Sequence, residues 1–115
     1  MKLYAIPNCN TVKKARAWLE QNSVAYEFHD FKKQGIDEAT LKRWLTQQPW
    51  EKLVNRTGMT WRNLSDTEKN AVNDSASAIS LMIAKPSIIK RPVVVKDDQI
   101  VALGFVESEY QQVFK

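Results

Sequence analysis

The sequence predicts an α/β fold, a mixed sheet with helices packed on it, in the order β-α-β, helical insert, β-β-α. Three observations carry this. An apolar run over residues 2–6 and an alternating run over 24–28 flank a helical pattern over about residues 11–22, which makes a right-handed βαβ unit. Residues 37–84 show helical periodicity and caps with no strand signal between them. After Pro86 the β-rich runs 92–96 and 100–103 return, and residues 106–114 close the chain as a helix.

Each element has a local reason. In the first helix Val12, Ala15, Leu19 and Asn22 share one face, while Lys13, Lys14, Ala17, Glu20 and Gln21 lie largely on the others. In the second strand Val24, Tyr26 and Phe28 alternate with Ala25, Glu27 and His29. His29 is the only histidine; with the polar neighbours Glu27 and Asp30 it reads as a strand-end residue near the surface, with no role assigned. Gly35 breaks the chain, Asp37 is a candidate N-cap, and Leu41, Trp44 and Leu45 give an i, i+3, i+4 stripe before Pro49 stops the helix. Trp50-Glu51-Lys52-Leu53 is a short helical turn running into a loop. Ser65-Asp66-Thr67-Glu68 matches a capping box and opens a helix through about Asn73. Ser75 starts another, carrying Ala78, Ile79, Leu81, Met82 and Ile83. Asp97-Asp98-Gln99 between two apolar runs reads as a hairpin loop. In the last helix Val106, Tyr110, Val113 and Phe114 are expected to form the buried side. With no repeat, low-complexity stretch or linker, the chain reads as one domain over residues 1–115.

Composition narrows the function classes. Hydrophobic residues make up 43% and charged residues 26% of 115, an ordinary globular balance. One cysteine forms no internal disulfide and no cysteine-rich metal site, which fits a reducing cytoplasm. The N-terminus has no long apolar region of the signal-peptide kind, and no apolar stretch is long enough to span a bilayer. The 17 basic residues are mixed with 13 acidic ones, so the net charge of +4 makes no basic face. The nearest approaches are Lys13, Lys14 and Arg16, and later Lys85, Lys90 and Arg91. A cytoplasmic monomer is expected, with no nucleic-acid or membrane partner, no metal and no bound cofactor.

The chemistry gathers at Tyr4-Ala5-Ile6-Pro7-Asn8-Cys9-Asn10-Thr11-Val12-Lys13-Lys14-Ala15. Read as strand, turn and helix, this puts the sulfur of Cys9 at or just before a helix N-terminus. Unpaired backbone N–H groups and the helix dipole there favour an anion, and a thiolate is one. A lone cysteine packed as a small hydrophobe is the alternative, but Cys9 sits among Pro7, Asn8, Asn10 and Thr11 and not inside an apolar run. Asn10 and Thr11 can supply the turn and cap, with their N–H groups toward a bound anion. Position 12, where a Cys-x-x-Cys motif places its second thiol, is Val12. The thiol that resolves an adduct on Cys9 must therefore come from outside: glutathione, or a glutaredoxin or thioredoxin protein.

Three segments resemble the arsenate reductase family of thioredoxin-like proteins, which includes the Spx regulators, and most of all its YffB-like branch of thiol reductases. They are residues 4–14 with the Cys9-Asn10-Thr11 turn, Lys52-Leu53-Val54-Asn55-Arg56-Thr57-Gly58, and Ile89-Lys90-Arg91-Pro92-Val93-Val94-Val95. They occur in the family's order, and the resemblance covers essentially the whole chain. The resemblance implies a thioredoxin-like mixed sheet with an all-helical insertion, about residues 37–84, between the second and third strands. It implies Cys9 as nucleophile, a cis Arg91-Pro92 bond at the entry to the third strand, and Arg91 and Arg56 as anion-binding cations. A guanidinium suits that role, because it stays charged and presents a planar fork to an oxyanion. Gly58 would give the Arg56 loop room, and Arg62 is close enough in sequence to substitute.

Two departures matter. The family's arsenate reductases carry a third arginine after the hairpin, where this chain has Phe105, and a histidine before the catalytic loop, where it has Ala5 or Ile6. The loss of a cation disfavours a multiply charged oxyanion, and the expected activity is a glutathione-dependent thiol–disulfide reductase, with arsenate as the alternative substrate. Glutathione would be reductant or co-substrate, and the substrate a small oxyanion or a disulfide. The reading from another class is a non-enzymatic, Spx-like binding protein. Its sequence feature would be an exposed patch made by Trp44, Trp50 and Trp61, which otherwise pack the insert.

Overall fold

In the computed structural model, which describes residues 1–114, the sheet is built on β1 (Lys2–Ala5). β2 (Glu27–Asp30) pairs parallel to it, with Lys2 opposite Glu27 and Ala5 opposite Asp30. β3 (Val93–Lys96) pairs antiparallel on the other side, with Tyr4 opposite Val93, and β4 (Gln99–Leu103) completes the order β2-β1-β3-β4. This is the mixed, thioredoxin-like sheet with an inserted helical stretch that the sequence predicts. The chain divides into two compact units: Met1–Gln34 together with the chain from Arg91 on, and Gly35–Lys90.

The first unit holds the sheet, α1 (Asn10–Gln21), the single turn α2 (Phe31–Gln34) and α8 (Glu107–Phe114). Its core joins Leu3 and Ala5 of β1 to Val12, Ala15, Trp18 and Leu19 of α1, with Val94, Ala102 and Tyr110. The α1 stripe therefore runs on through Trp18, which is 7% exposed. The hairpin turns on two residues, Asp97 and Asp98, at φ 51° and 62°, the left-handed pair of a type I′ turn whose twist matches the flanking strands.

Two expectations in this unit are corrected. The second strand starts at Glu27, not Val24, because β1 begins at Lys2 and its ladder offers no earlier partner; Glu27 N–H donates to Met1 O at 2.9 Å. Val106 and Val113 are 48% and 45% exposed, whereas Tyr110 is fully buried. The rings of Trp18, Phe105 and Phe114 surround Tyr110 at 5.5, 4.8 and 5.4 Å and fill the contact face of α8, leaving no place for the two valines.

The second unit is built of α3 (Glu38–Leu45), α4 (Trp50–Leu53), α5 (Met59–Arg62), α6 (Asp66–Asn70), α7 (Ser75–Ala84) and a 3-10 turn at Pro86–Ile88. The expected caps form. Asp37 accepts from Thr40 N–H at 2.7 Å, and Ser65 and Glu68 close a reciprocal capping box. α3 packs on α7, where Leu41, Trp44, Ala78, Ile79 and Met82 are buried. A single antiparallel bridge, Val54 to Ile89, ties the two ends of the unit, with Lys90 N–H donating to Leu53 O at 2.7 Å. No described helix is long and apolar enough to cross a membrane.

α1 ends in a Schellman motif: Ser23 N–H donates to Glu20 O and Val24 N–H to Leu19 O, with Ser23 at φ 56°. A β-carbon is strained there, and glycine is not. Ser23→Gly is therefore expected to stabilise the protein by about 1 kcal/mol, raising the thermal midpoint by about 4 °C in a melting experiment.

Candidate active site

The β1 strand ends at Ala5, and Ile6-Pro7-Asn8 carries the chain to Cys9, which is the N-cap of α1. Cys9 is extended, at φ −144° and ψ 127°, and its carbonyl accepts the first helical bond, from Lys13 N–H at 2.9 Å. Asn10 and Thr11, both of which the sequence offers for the turn and cap, lie inside the helix as its first two residues, exposed. The thiol makes no capping hydrogen bond, so the N–H groups of Asn10, Thr11 and Val12 have no partner within the helix. No acidic residue stands in the first turn of α1. The sulfur is half-buried, packed beside the core under β1 and α1. The helix dipole, the three N–H groups and the nearby Lys13 and Lys14 all favour negative charge at this place.

The Arg91-Pro92 peptide is cis. β1 pairs with β3 through Tyr4 and Val93, and one further step of that antiparallel register sets Pro92 beside Ala5. Pro92 and Arg91 therefore lie at the end of the sheet from which the Cys9 loop leaves. Arg91 is half-buried and Pro92 buried. Of the expected site residues, Cys9, Asn10, Thr11, Arg91 and Pro92 belong to the sheet unit and gather at one end of it.

Arg56 belongs to the helical unit. It is exposed, in the turn after α4, with its guanidinium 5.7 Å from the ring centre of Trp50. Asn55 organises that turn, its side-chain oxygen accepting from the Thr57 hydroxyl at 2.8 Å and from Thr57 N–H at 3.3 Å. Gly58 fits close to it, since a β-carbon there would stand 2.8 Å from the Asn55 amide nitrogen. Arg62 ends α5, exposed, with its guanidinium against the Met59 sulfur at 3.6 Å. Of the tryptophans, Trp44 is buried, while Trp50 and Trp61 are half-buried.

Two supporting residues escaped the sequence reading. Gly104, at φ 81°, donates its N–H to Pro92 O at 2.9 Å, and the Tyr110 hydroxyl donates to Gly104 O at 2.8 Å. Tyr110 thus braces the turn that holds the Pro92 carbonyl. The signal in the sequence was a glycine directly after an apolar strand, six residues before a tyrosine. Phe105, between them, packs edge-on to Tyr110 at 4.8 Å and joins the same core that Cys9 lies against. His29 takes part in a ring cluster, 4.5 Å from Tyr4 and 5.9 Å from Phe31.

A mixed four-stranded sheet, a lone cysteine capping the first helix and a cis-proline entering the third strand define a thioredoxin-like protein with one thiol and an inserted helical unit. The chain belongs to the ArsC family, whose model matches residues 4–113. It is similar to the solved YFFB (PA3664) protein, with 44% identity and a TM-score of 0.92 over 99% of this chain and 98% of that one. An arsenate reductase (ArsC) related protein from Brucella melitensis is 47% identical, with a TM-score of 0.78 over 99% and 93% of the two chains. The global transcriptional regulator Spx of Streptococcus agalactiae is 27% identical over 110 residues, covering 93% of this chain and 77% of the regulator.

Burial raises the pKa of the Tyr110 phenol well above its ordinary value near 10, with the Glu109 carboxylate adding to the shift. The folded state then keeps a proton that the unfolded chain releases above about pH 10, so Tyr110 contributes stability that is present below that pH and lost as pH rises beyond it. Denaturant unfolding between pH 8 and 11 is expected to show a steeper alkaline loss of stability for the wild type than for Tyr110→Phe. At pH 8 the variant should be less stable by about 1 kcal/mol, from the lost hydrogen bond to Gly104.

Proposed function

We propose that the protein is a glutathione-dependent thiol–disulfide reductase that uses Cys9 as its only nucleophile. The observation that carries this reading is a thiol at the N-cap of a twelve-residue helix, unspent on capping, at the same end of the sheet as Arg91 and Pro92. Membership of the ArsC family supports it.

In the first step the Cys9 thiolate attacks one sulfur of a mixed disulfide. A new S–S bond forms at Cys9 as the old one breaks, and the departing thiolate takes a proton from solvent. With no second cysteine in the chain, a glutathione thiolate from solution attacks the adduct. If the adduct is glutathione, this gives glutathione disulfide and the Cys9 thiolate. The glutathione moiety brought by the substrate and the one from solution then leave together as glutathione disulfide, so one reduced glutathione is consumed for each mixed disulfide reduced. The N–H groups of Asn10 and Thr11 and the Arg91 guanidinium stabilise the thiolate and hold a carboxylate of the glutathione moiety. Arg56 is the second anion-binding arginine by the family resemblance, and Phe105 leaves the site one cation short for arsenate.

The test is a coupled assay with glutathione, glutathione reductase and a small mixed disulfide or arsenate, with adducts followed by intact mass. The wild type is expected to turn over the disulfide and accumulate a glutathione adduct, with arsenate far slower. Cys9→Ser should abolish both turnover and adduct. Arg91→Ala should lower kcat/KM by about tenfold, the range of a lost charge-assisted hydrogen bond, and Arg56→Ala should lower it less. Turnover that survives in Cys9→Ser, or a wild type that gives neither turnover nor adduct, overturns the proposal.

A further inference from the structure

Cys9, Lys13, Arg16 and Glu20 stand at i, i+4, i+7 and i+11, so they line one flank of α1. The contacts of Arg16 and Glu20 show which flank it is. Arg16 Nε donates to the Tyr26 hydroxyl at 2.9 Å, and its guanidinium lies 4.2 Å from the ring centre of Phe28 and 5.8 Å from that of Tyr26. The Tyr26 hydroxyl in turn donates to Glu20 Oε1 at 3.1 Å. The flank therefore faces the residues leading into β2, the strand at one end of the sheet order.

An open cleft of about 390 Å³ lies there, lined by Arg16, Glu20, Val24, Ala25, Tyr26 and Phe28. The Tyr26 hydroxyl stands between the two opposite charges and engages only one of the five guanidinium N–H donors. Among the described residues Arg16 has no carboxylate partner, and neither has Lys13. Arg16 is half-buried, over the Phe28 ring and hydrogen-bonded to Tyr26, so little side-chain freedom is left to lose on binding an anion. Lys13, exposed one turn nearer to Cys9, adds a second positive charge on the path between them.

We propose that this flank is a recognition surface for an acidic, extended segment of the polypeptide whose disulfide Cys9 attacks. The inference rests on the Cys9 reading above and adds the substrate class. Arg16 stands seven residues from Cys9, about 10.5 Å along the helix axis. An extended chain advances about 3.3 Å per residue, so the carboxylate that reaches Arg16 belongs to a residue about three positions from the cysteine that carries the disulfide. Its apolar neighbours rest on Val24, Ala25 and Tyr26.

The experiment compares glutathionylated peptides carrying glutamate or glutamine three residues to either side of one cysteine, in the glutathione-coupled assay. The wild type is expected to prefer a glutamate peptide by about three- to fivefold in kcat/KM at low salt, the range of a partly exposed ion pair. The preference should shrink toward one at about 0.5 M salt. Arg16→Gln and, separately, the exposed Lys13→Gln should each reduce the ratio, and Arg16→Glu should invert it in favour of a lysine peptide. Equal wild-type rates on glutamate and glutamine peptides overturn the acidic surface and leave the reductase standing. A preference that survives both glutamine variants overturns it as well. An absence of turnover on every peptide brings down the Cys9 reading and this one with it.

Discussion

Burial of Leu3 and Ala5 beneath α1 is the interaction on which the rest of the sheet unit depends. Both side chains are fully buried, against Val12, Ala15 and Leu19 of α1, which are buried as completely. β1 is also an inner strand of the sheet, with β2 and β3 hydrogen-bonded on either side of it. Packing α1 back on β1 leaves only Ile6-Pro7-Asn8 to make the reversal, so the residue at the helix start has little freedom of place. That residue is Cys9. Truncating Leu3 to alanine would remove about 3 kcal/mol of packing and loosen the sulfur's position along with the core.

The same strand also sets the position of Arg91 and Pro92, through its register with β3. Here the structure adds a brace that hydrophobic patterning does not announce. Tyr110 on α8 holds Gly104, and Gly104 holds the Pro92 carbonyl. A buried hydroxyl without a partner is costly, and so is a buried carbonyl, so this chain of bonds favours one arrangement over its near neighbours. Core aromatics thus reach the site through backbone, without any side chain of α8 entering the chemistry.

Much of this was legible in the sequence because it rests on local rules. Caps at Asp37 and Ser65, the apolar stripe of α1 and the existence of the hairpin follow from spacing and residue type. The hairpin's loop is one residue shorter than the expected Asp97-Asp98-Gln99, because Gln99 already pairs with Lys96. What was not legible depends on partners far along the chain. The start of β2 is set by where β1 begins, and Val106 and Val113 are exposed because three aromatic rings already crowd Tyr110. Periodicity reports which residues could share a face; it is silent on which of them finds room against another element. At the site, strand–turn–helix order alone was enough to place Cys9 at a helix start. The Tyr110–Gly104–Pro92 brace needed the register between β3, β4 and α8. Arg16 was read only as part of a basic cluster, since its link to Tyr26 and Phe28 is a tertiary contact.

A chain with a single thiol faces a constraint that a dithiol protein escapes. On the proposed mechanism two different molecules must reach the same sulfur in turn, the substrate disulfide and then the reducing thiol, and the second must not be excluded by the first. An enclosed pocket would serve one of them at the other's expense. A half-buried sulfur at an exposed helix start, with anion-favouring N–H groups on one side and a basic flank running away from it along α1, separates the two demands. The groups nearest the sulfur hold what both partners share, a sulfur and a nearby carboxylate. Those further along the helix are touched only by the larger substrate, and discrimination placed there does not slow release by a small thiol.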